Sequence, residues 1–112
     1  MVELDQFKYR ISGYDAQIEN IKQSLDLDSK KKRIEELEAD MEAPGFWDDP
    51  DKSNKAMKEL KTLKDSFEGY NSLKSGLEDI NTLSEIADEM QDDSLISEIE
   101  YEITVFEVNM DS

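Results

Sequence analysis

The chain has 112 residues, of which 29 are acidic and 13 basic, and its formal net charge is −16. It contains no cysteine and no histidine, which excludes disulfide frameworks, iron–sulfur clusters, thiolate or imidazole metal sites and histidine-activated nucleophiles. A length of this order suits one domain, and the sequence holds neither a membrane-spanning apolar run nor an apolar segment after Met1. We therefore expect a soluble, cytoplasmic protein.

The charge is unevenly distributed. Residues 1–74 hold all 13 basic side chains, whereas residues 75–112 hold 12 acidic side chains and no basic one. The acidic segment must be solvated or be paired with cations from elsewhere in the chain or from a partner. The overall balance argues against a general nucleic-acid-binding protein, because phosphate neutralisation requires lysine and arginine.

Heptad-like spacing predicts the first helix over residues 2–25. Apolar side chains alternate at three- and four-residue steps, at Leu4, Phe7, Ile11, Tyr14, Ile18, Ile21 and Leu25. This pattern is typical of a helix that packs on other helices at a shallow angle. Gly13 lies inside it and costs about 1 kcal/mol relative to alanine, which packing can offset.

A second helix is predicted over residues 29–42. Asp26, Asp28 and Ser29 offer side-chain oxygens for its N-cap. A heptad stripe then continues through Ile34 and Leu37.

The only basic run of the chain lies at the start of this second helix, at Lys30, Lys31, Lys32 and Arg33. The helix dipole disfavours cations at this end, so the run requires a compensating partner or full exposure. A solvated structural role and a contact with an anionic partner both remain open.

Turn residues separate the second and third helices, in the order Ala43, Pro44, Gly45, Phe46, Trp47, Asp48, Asp49 and Pro50. Pro44 ends the second helix and Gly45 permits a positive φ. Asp49 is the expected N-cap of the next helix and Pro50 its first residue. We interpret Phe46 and Trp47 as side chains that hold this loop on the helical core rather than as a ligand-stacking platform.

The third helix is predicted over residues 50–90. Its apolar positions from Met57 to Met90 are separated by 3.3 residues on average, since ten steps cover 33 residues. This spacing is shorter than a helical turn, so the stripe drifts around the helix. We expect one long helix with changing neighbours rather than a break near Gly69 or Gly76.

A fourth helix is predicted over residues 94–110 from apolar side chains at Ile96, Ile99, Ile103, Phe106 and Met110. Tyr101, Ile103 and Val105 also alternate with polar residues, which is a strand pattern. We favour a helix of this length, because no other strand is predicted with which the segment could pair. The segment ends without a cap, so we expect residues 1–112 to be one helical domain of a longer protein. The predicted fold class is an all-α, antiparallel, coiled-coil-like bundle of about four helices.

No catalytic, cofactor or metal site is expected in these residues. A calcium loop that starts at Asp49 would have Asn54 where glycine is required and Leu60 where glutamate is required. No phosphate-binding glycine loop is present. No pair of carboxylates is set apart for general acid–base catalysis.

The runs Leu25–Glu38 and Ala43–Pro50 resemble the bacterial class I peptide chain release factors, in particular those of the release factor 2 type. The Pro-Gly-Phe-Trp sequence followed by Asp-Pro is the most specific part, and Leu73–Ile80 is also similar. The similarity covers essentially the whole chain and corresponds to the N-terminal helical domain of that family.

This resemblance implies translation termination at UAA and UGA codons. In that family a Ser-Pro-Phe tripeptide reads the codon and a Gly-Gly-Gln motif triggers peptidyl-tRNA hydrolysis, both in later domains and both absent from these residues. The N-terminal domain is expected to contact ribosomal protein L11 and the neighbouring rRNA of the GTPase-associated centre, near the site of release factor 3.

The net charge of −16 predicts that this contact is mainly with protein. Any phosphate contact should be confined to the end of the domain that bears Lys30, Lys31, Lys32 and Arg33. The isolated domain is expected to be a monomer or a weak dimer. Two alternatives are a coiled-coil interaction scaffold, which would self-associate, and an acidic mimic of nucleic acid, which would bind a basic protein through residues 75–112.

Overall fold

A computed structural model describes residues 2–111 and contains five α-helices in this part of the chain. They are α1 (Val2–Ile11), α2 (Tyr14–Leu25), α3 (Leu27–Glu42), α4 (Pro50–Met90) and α5 (Ile96–Asp111). Two 3₁₀ turns, Phe46–Asp48 and Asp93–Leu95, precede α4 and α5. Since residues 2–111 contain no strand, the all-α helical class is confirmed. Within residues 2–111, none of the helices combines the length and the hydropathy that a membrane span requires.

Two predicted alternatives are settled by the helix boundaries. Helix α4 runs without interruption for 41 residues, so neither Gly69 nor Gly76 breaks it. Residues 101–105 lie inside α5, so their alternating pattern does not produce a strand. Isoleucine and phenylalanine at helical spacing determine the structure there, because Ile99, Ile103 and Phe106 are buried on one face of α5.

The first predicted helix is divided into α1 and α2 by a turn at Ser12 and Gly13. The amide of Ser12 donates to the Tyr9 carbonyl at 3.3 Å, and the Ser12 hydroxyl donates to the same oxygen at 2.8 Å. The serine side chain therefore competes with the regular helical hydrogen bonds. The heptad pattern continues across this turn, which is why the sequence alone predicts one helix.

The chain forms two compact units. The first contains the residues up to Asn20 and those from Asn71 onward, and the second is Ile21–Tyr70. The first unit holds most of the buried apolar side chains, with Leu4, Ile80, Ile99 and Ile103 almost fully buried. In the second unit Leu37 is the one apolar side chain that is buried.

A glutamate of α5 links α1 and α2 within the first unit. The Glu107 carboxylate accepts hydrogen bonds from the guanidinium of Arg10 in α1 and from the hydroxyl of Tyr14 in α2. The Tyr14 ring also packs on Phe106, with ring centroids 5.3 Å apart. Residues 75–112 contain no basic side chain, and α1 supplies Arg10 as the cation that pairs with Glu107.

These contacts shift the acid–base equilibria of the cluster. The hydrogen bond from Arg10, followed by that from Tyr14, lowers the pKa of Glu107. The hydrogen bond to Glu107 raises the pKa of Tyr14. A carboxyl group whose pKa is lowered by folding stabilises the fold above its unfolded-state pKa, and that contribution is lost as the pH falls through the folded-state value.

Replacement of Glu107 by glutamine should therefore destabilise the chain at neutral pH and have little effect in acid. We expect a loss of about 1 kcal/mol or less at pH 7, because the ion pair is partly solvated. Urea unfolding of both proteins at neutral pH and below the ordinary glutamate pKa measures the difference. Glu85→Gln, which removes the same charge from an exposed position of the same unit, is the control and should not show this pH dependence.

Two buried serines of α4 differ in their hydrogen bonding. The Ser53 hydroxyl donates to the Pro50 carbonyl at 3.2 Å. The Ser84 hydroxyl is buried and has no hydrogen-bond partner among residues 2–111. A buried polar group without a partner costs about 1–3 kcal/mol of desolvation.

Ser84→Ala should accordingly raise the free energy of unfolding by about 1 kcal/mol, because it removes the unpaired hydroxyl and improves helix propensity. Ser53→Ala is the matched variant and should give no such gain, because it also removes a hydrogen bond. Equal stabilisation by the two substitutions in urea unfolding would contradict this account.

Candidate interaction surface

The basic run at the start of α3 is divided by the helix into two pairs with different surroundings. Lys30 is half-buried, and its ammonium group donates to the Leu25 carbonyl at the end of α2. The cation at the start of α3 thus interacts with the negative end of the preceding helix, which compensates for its unfavourable position. The predicted capping by Asp26 is wrong in detail: this residue has a positive φ of 49° and its side chain forms no cap hydrogen bond.

Arg33 connects α3 to α4. Its guanidinium forms a two-point contact with Glu59, with Nε–Oε1 at 2.7 Å and Nη2–Oε2 at 2.9 Å, and a third contact with Glu36 at 3.2 Å. The hydrogen bond from Arg33 lowers the pKa of Glu59, and the same contact raises the pKa of Arg33. The parallel geometry of this pair gives a directional link between α3 and α4 at an exposed position of both helices.

Lys31 and Lys32 are exposed, and neither forms an ion pair within residues 2–111. Of the four predicted contact residues, the structure therefore leaves two available to a partner and places Lys30 and Arg33 in intramolecular contacts. Contact of any of the four with a ribosome remains a prediction.

The loop between α3 and α4 has the predicted backbone. Gly45 has φ = 84°, which glycine adopts without steric cost. The Asp49 side chain accepts a hydrogen bond from the Lys52 amide at 3.2 Å, and Pro50 is the first residue of α4. The N-cap prediction is confirmed.

The two loop aromatics differ from the prediction. Phe46 is half-buried and lines a cleft of about 570 Å³ together with Arg33 and Leu37. Trp47 is 57% exposed and meets the Phe46 ring edge-on at a centroid distance of 4.8 Å. Phe46 therefore holds the loop on the helices, whereas the expectation that Trp47 does the same is wrong.

Beside Trp47 lies an apolar depression that we call the α3–α4 groove. Two adjoining clefts of about 390 and 380 Å³ form it, and both are bordered by Lys64 and Glu68. Its apolar lining consists of Ile34, Met41, Trp47, Met57, Leu60 and Phe67. The sequence signal for the helical part of this groove is the heptad spacing of its residues, which by itself predicts only a buried core.

The described residues contain no group of three or more carboxylates positioned to hold a metal ion. The described surface around α3 and α4 instead offers exposed cations, an apolar groove and an arginine held in ion pairs. This arrangement is suited to binding a macromolecule through its surface.

Comparison with known proteins identifies the family. A model of the PCRF domain matches residues 30–112. The chain is 32% identical over 110 residues to peptide chain release factor 2 of Aliivibrio fischeri, covering 98% of the chain and 30% of that protein. It is 33% identical over 107 residues to peptide chain release factor 2 of Yersinia pseudotuberculosis, covering 96% of the chain and 29% of that protein.

A third relative, peptide chain release factor 2 of Staphylococcus saprophyticus, is 31% identical over 110 residues, which are 98% of the chain and 30% of that protein. The chain thus spans about three tenths of the length of these curated relatives. No solved structure matches the chain significantly. Because the PCRF model matches well over half of its residues, the chain belongs to the PCRF domain family.

Proposed function

We propose that the chain is the N-terminal helical domain of a bacterial peptide chain release factor that acts in translation termination at UAA and UGA codons. The observation that carries this proposal is the similarity to peptide chain release factor 2, which covers 98% of the chain. In this proposal residues 1–112 form one domain made of two compact units. Codon reading and peptidyl-tRNA hydrolysis are assigned to the parts of the factor that lie outside these residues.

The proposed role of the domain is to position the factor on the ribosome. We assign its contact to ribosomal protein L11 and the neighbouring rRNA of the GTPase-associated centre, close to the site of release factor 3. Lys31 and Lys32 are the proposed phosphate contacts, because they are exposed and adjacent. Lys30 and Arg33 would support them from within the protein by fixing the position of α3.

A chimera tests the role in termination. The N-terminal segment of Aliivibrio fischeri release factor 2 that aligns with this chain is replaced by it, and peptide release is measured on ribosomes stopped at a UGA codon. We expect faster release than with the same factor lacking the segment. A folded chimera that releases no faster than the truncated factor would contradict the proposal. A reading frame beyond Ser112 that encodes Ser-Pro-Phe and Gly-Gly-Gln would support the codon assignment.

Salt dependence tests the two lysines. In the 112-residue chain, Lys31→Ala combined with Lys32→Ala should weaken ribosome binding and reduce the slope of log K against log salt by roughly 1–2, since each lost phosphate contact lowers it by about 0.7–0.9. Lys8→Ala combined with Lys22→Ala makes the same change in net charge at exposed positions and is the control. Equal slopes for the two double variants would exclude Lys31 and Lys32 as the contact.

A further inference from the structure

We propose that the α3–α4 groove binds an amphipathic helix of a partner protein whose polar flank is acidic. The unit Ile21–Tyr70 gives the first reason, because it buries only Leu37 among its apolar side chains. The groove residues Trp47 and Met57 are 57% and 47% exposed. A contiguous apolar depression bordered by charged groups is typical of a protein-binding surface.

The spacing of the lining residues identifies the shape of the occupant. Ile34 and Met41 are seven residues apart on α3, and Leu60 and Phe67 are seven residues apart on α4. Each wall of the groove therefore repeats with a heptad period. Two helices that present heptad-spaced apolar side chains to one groove offer holes for the side chains of a third helix.

The charges at the border of the groove indicate which charge the bound helix carries beside its apolar stripe. Three lysines and two carboxylates border it: Lys31, Lys61, Lys64, Asp65 and Glu68. Lys61 pairs with Asp65 at 3.0 Å, so these two charges offset each other. Lys31 has no ion-pair partner in the described chain, and Lys64 forms a long ion pair of 3.9 Å with Glu38, which holds it only weakly.

The border of the groove is thus slightly cationic in a chain whose net charge is −16. A helix with carboxylates beside its apolar stripe would place them opposite Lys31 and Lys64. Nucleic acid fits less well, because it would leave the apolar floor of the groove uncovered. This inference does not depend on the role in termination, and its test does not use ribosomes.

The test uses the 112-residue chain and a synthetic helix of about 20 residues with leucine at the a and d positions and glutamate at e and g. Trp47 is the only tryptophan of the chain, so its emission reports on the groove directly. We expect a saturable blue shift as the indole leaves water. The same peptide with lysine at e and g is attracted by the net charge but should not produce that shift.

Variants locate the binding site. Met57→Glu should weaken binding at least about tenfold, because it places a charge at the centre of the contact. Lys31→Ala and Lys64→Ala should each weaken it about two- to fivefold. Ile86→Glu, at a 40% exposed position of α4 in the other unit, and Lys32→Ala are the controls and should leave the affinity unchanged.

Three results would overturn the proposal. They are the absence of a saturable shift with the glutamate peptide, an equal shift with the lysine peptide, and unchanged affinity of a Met57→Glu variant whose circular dichroism shows it to be folded. A shift that grows with protein concentration without any peptide would instead identify a second copy of the chain as the occupant, and would also refute the proposal.

Discussion

The drift of the apolar stripe around α4 is the constraint on which the fold depends. At 100° per residue, an average step of 3.3 residues turns the stripe by about 30° at each step. A single partner helix could not follow such a stripe along 41 residues. The helix therefore serves two separate sets of neighbours, with Arg33 of α3 paired to Glu59 and Phe106 of α5 beside Gly76. This agrees with the division of the chain at Tyr70 and Asn71.

Local signals predicted most of the fold, and what they missed depends on a competing side-chain hydrogen bond at Ser12 and on long-range contacts. Asp49, Pro50 and Gly45 specify their own backbone conformations, and the structure has them as predicted. The turn at Ser12 interrupts the first predicted helix, although the heptad pattern of apolar residues continues across it. Arg10 and Glu107, whose side chains meet beside that turn, are 97 residues apart, so no window of the sequence contains both.

The candidate site shows the same limit. Composition located the basic run, but adjacent positions on a helix differ by about 100° in direction. Only the structure shows that Lys30 and Arg33 are held by Leu25 and Glu59, whereas Lys31 remains exposed. Ten of the thirteen basic residues lie within the unit Ile21–Tyr70. Most of the net negative charge therefore lies in the other unit. The net charge of the whole chain does not describe the surface proposed for binding.

The loop between α3 and α4 also has a consequence for proteolysis. Proteases bind their substrates in extended form, and helices must unfold locally before they are cut. Among residues 2–111, the stretch from Ala43 to Asp49 is the longest outside the α-helices, and it presents an exposed tryptophan. A protease that cuts after aromatic residues should therefore first cleave the chain here. The two-point contact between Arg33 and Glu59 spans that cut, so the nicked unit retains a contact between its two fragments.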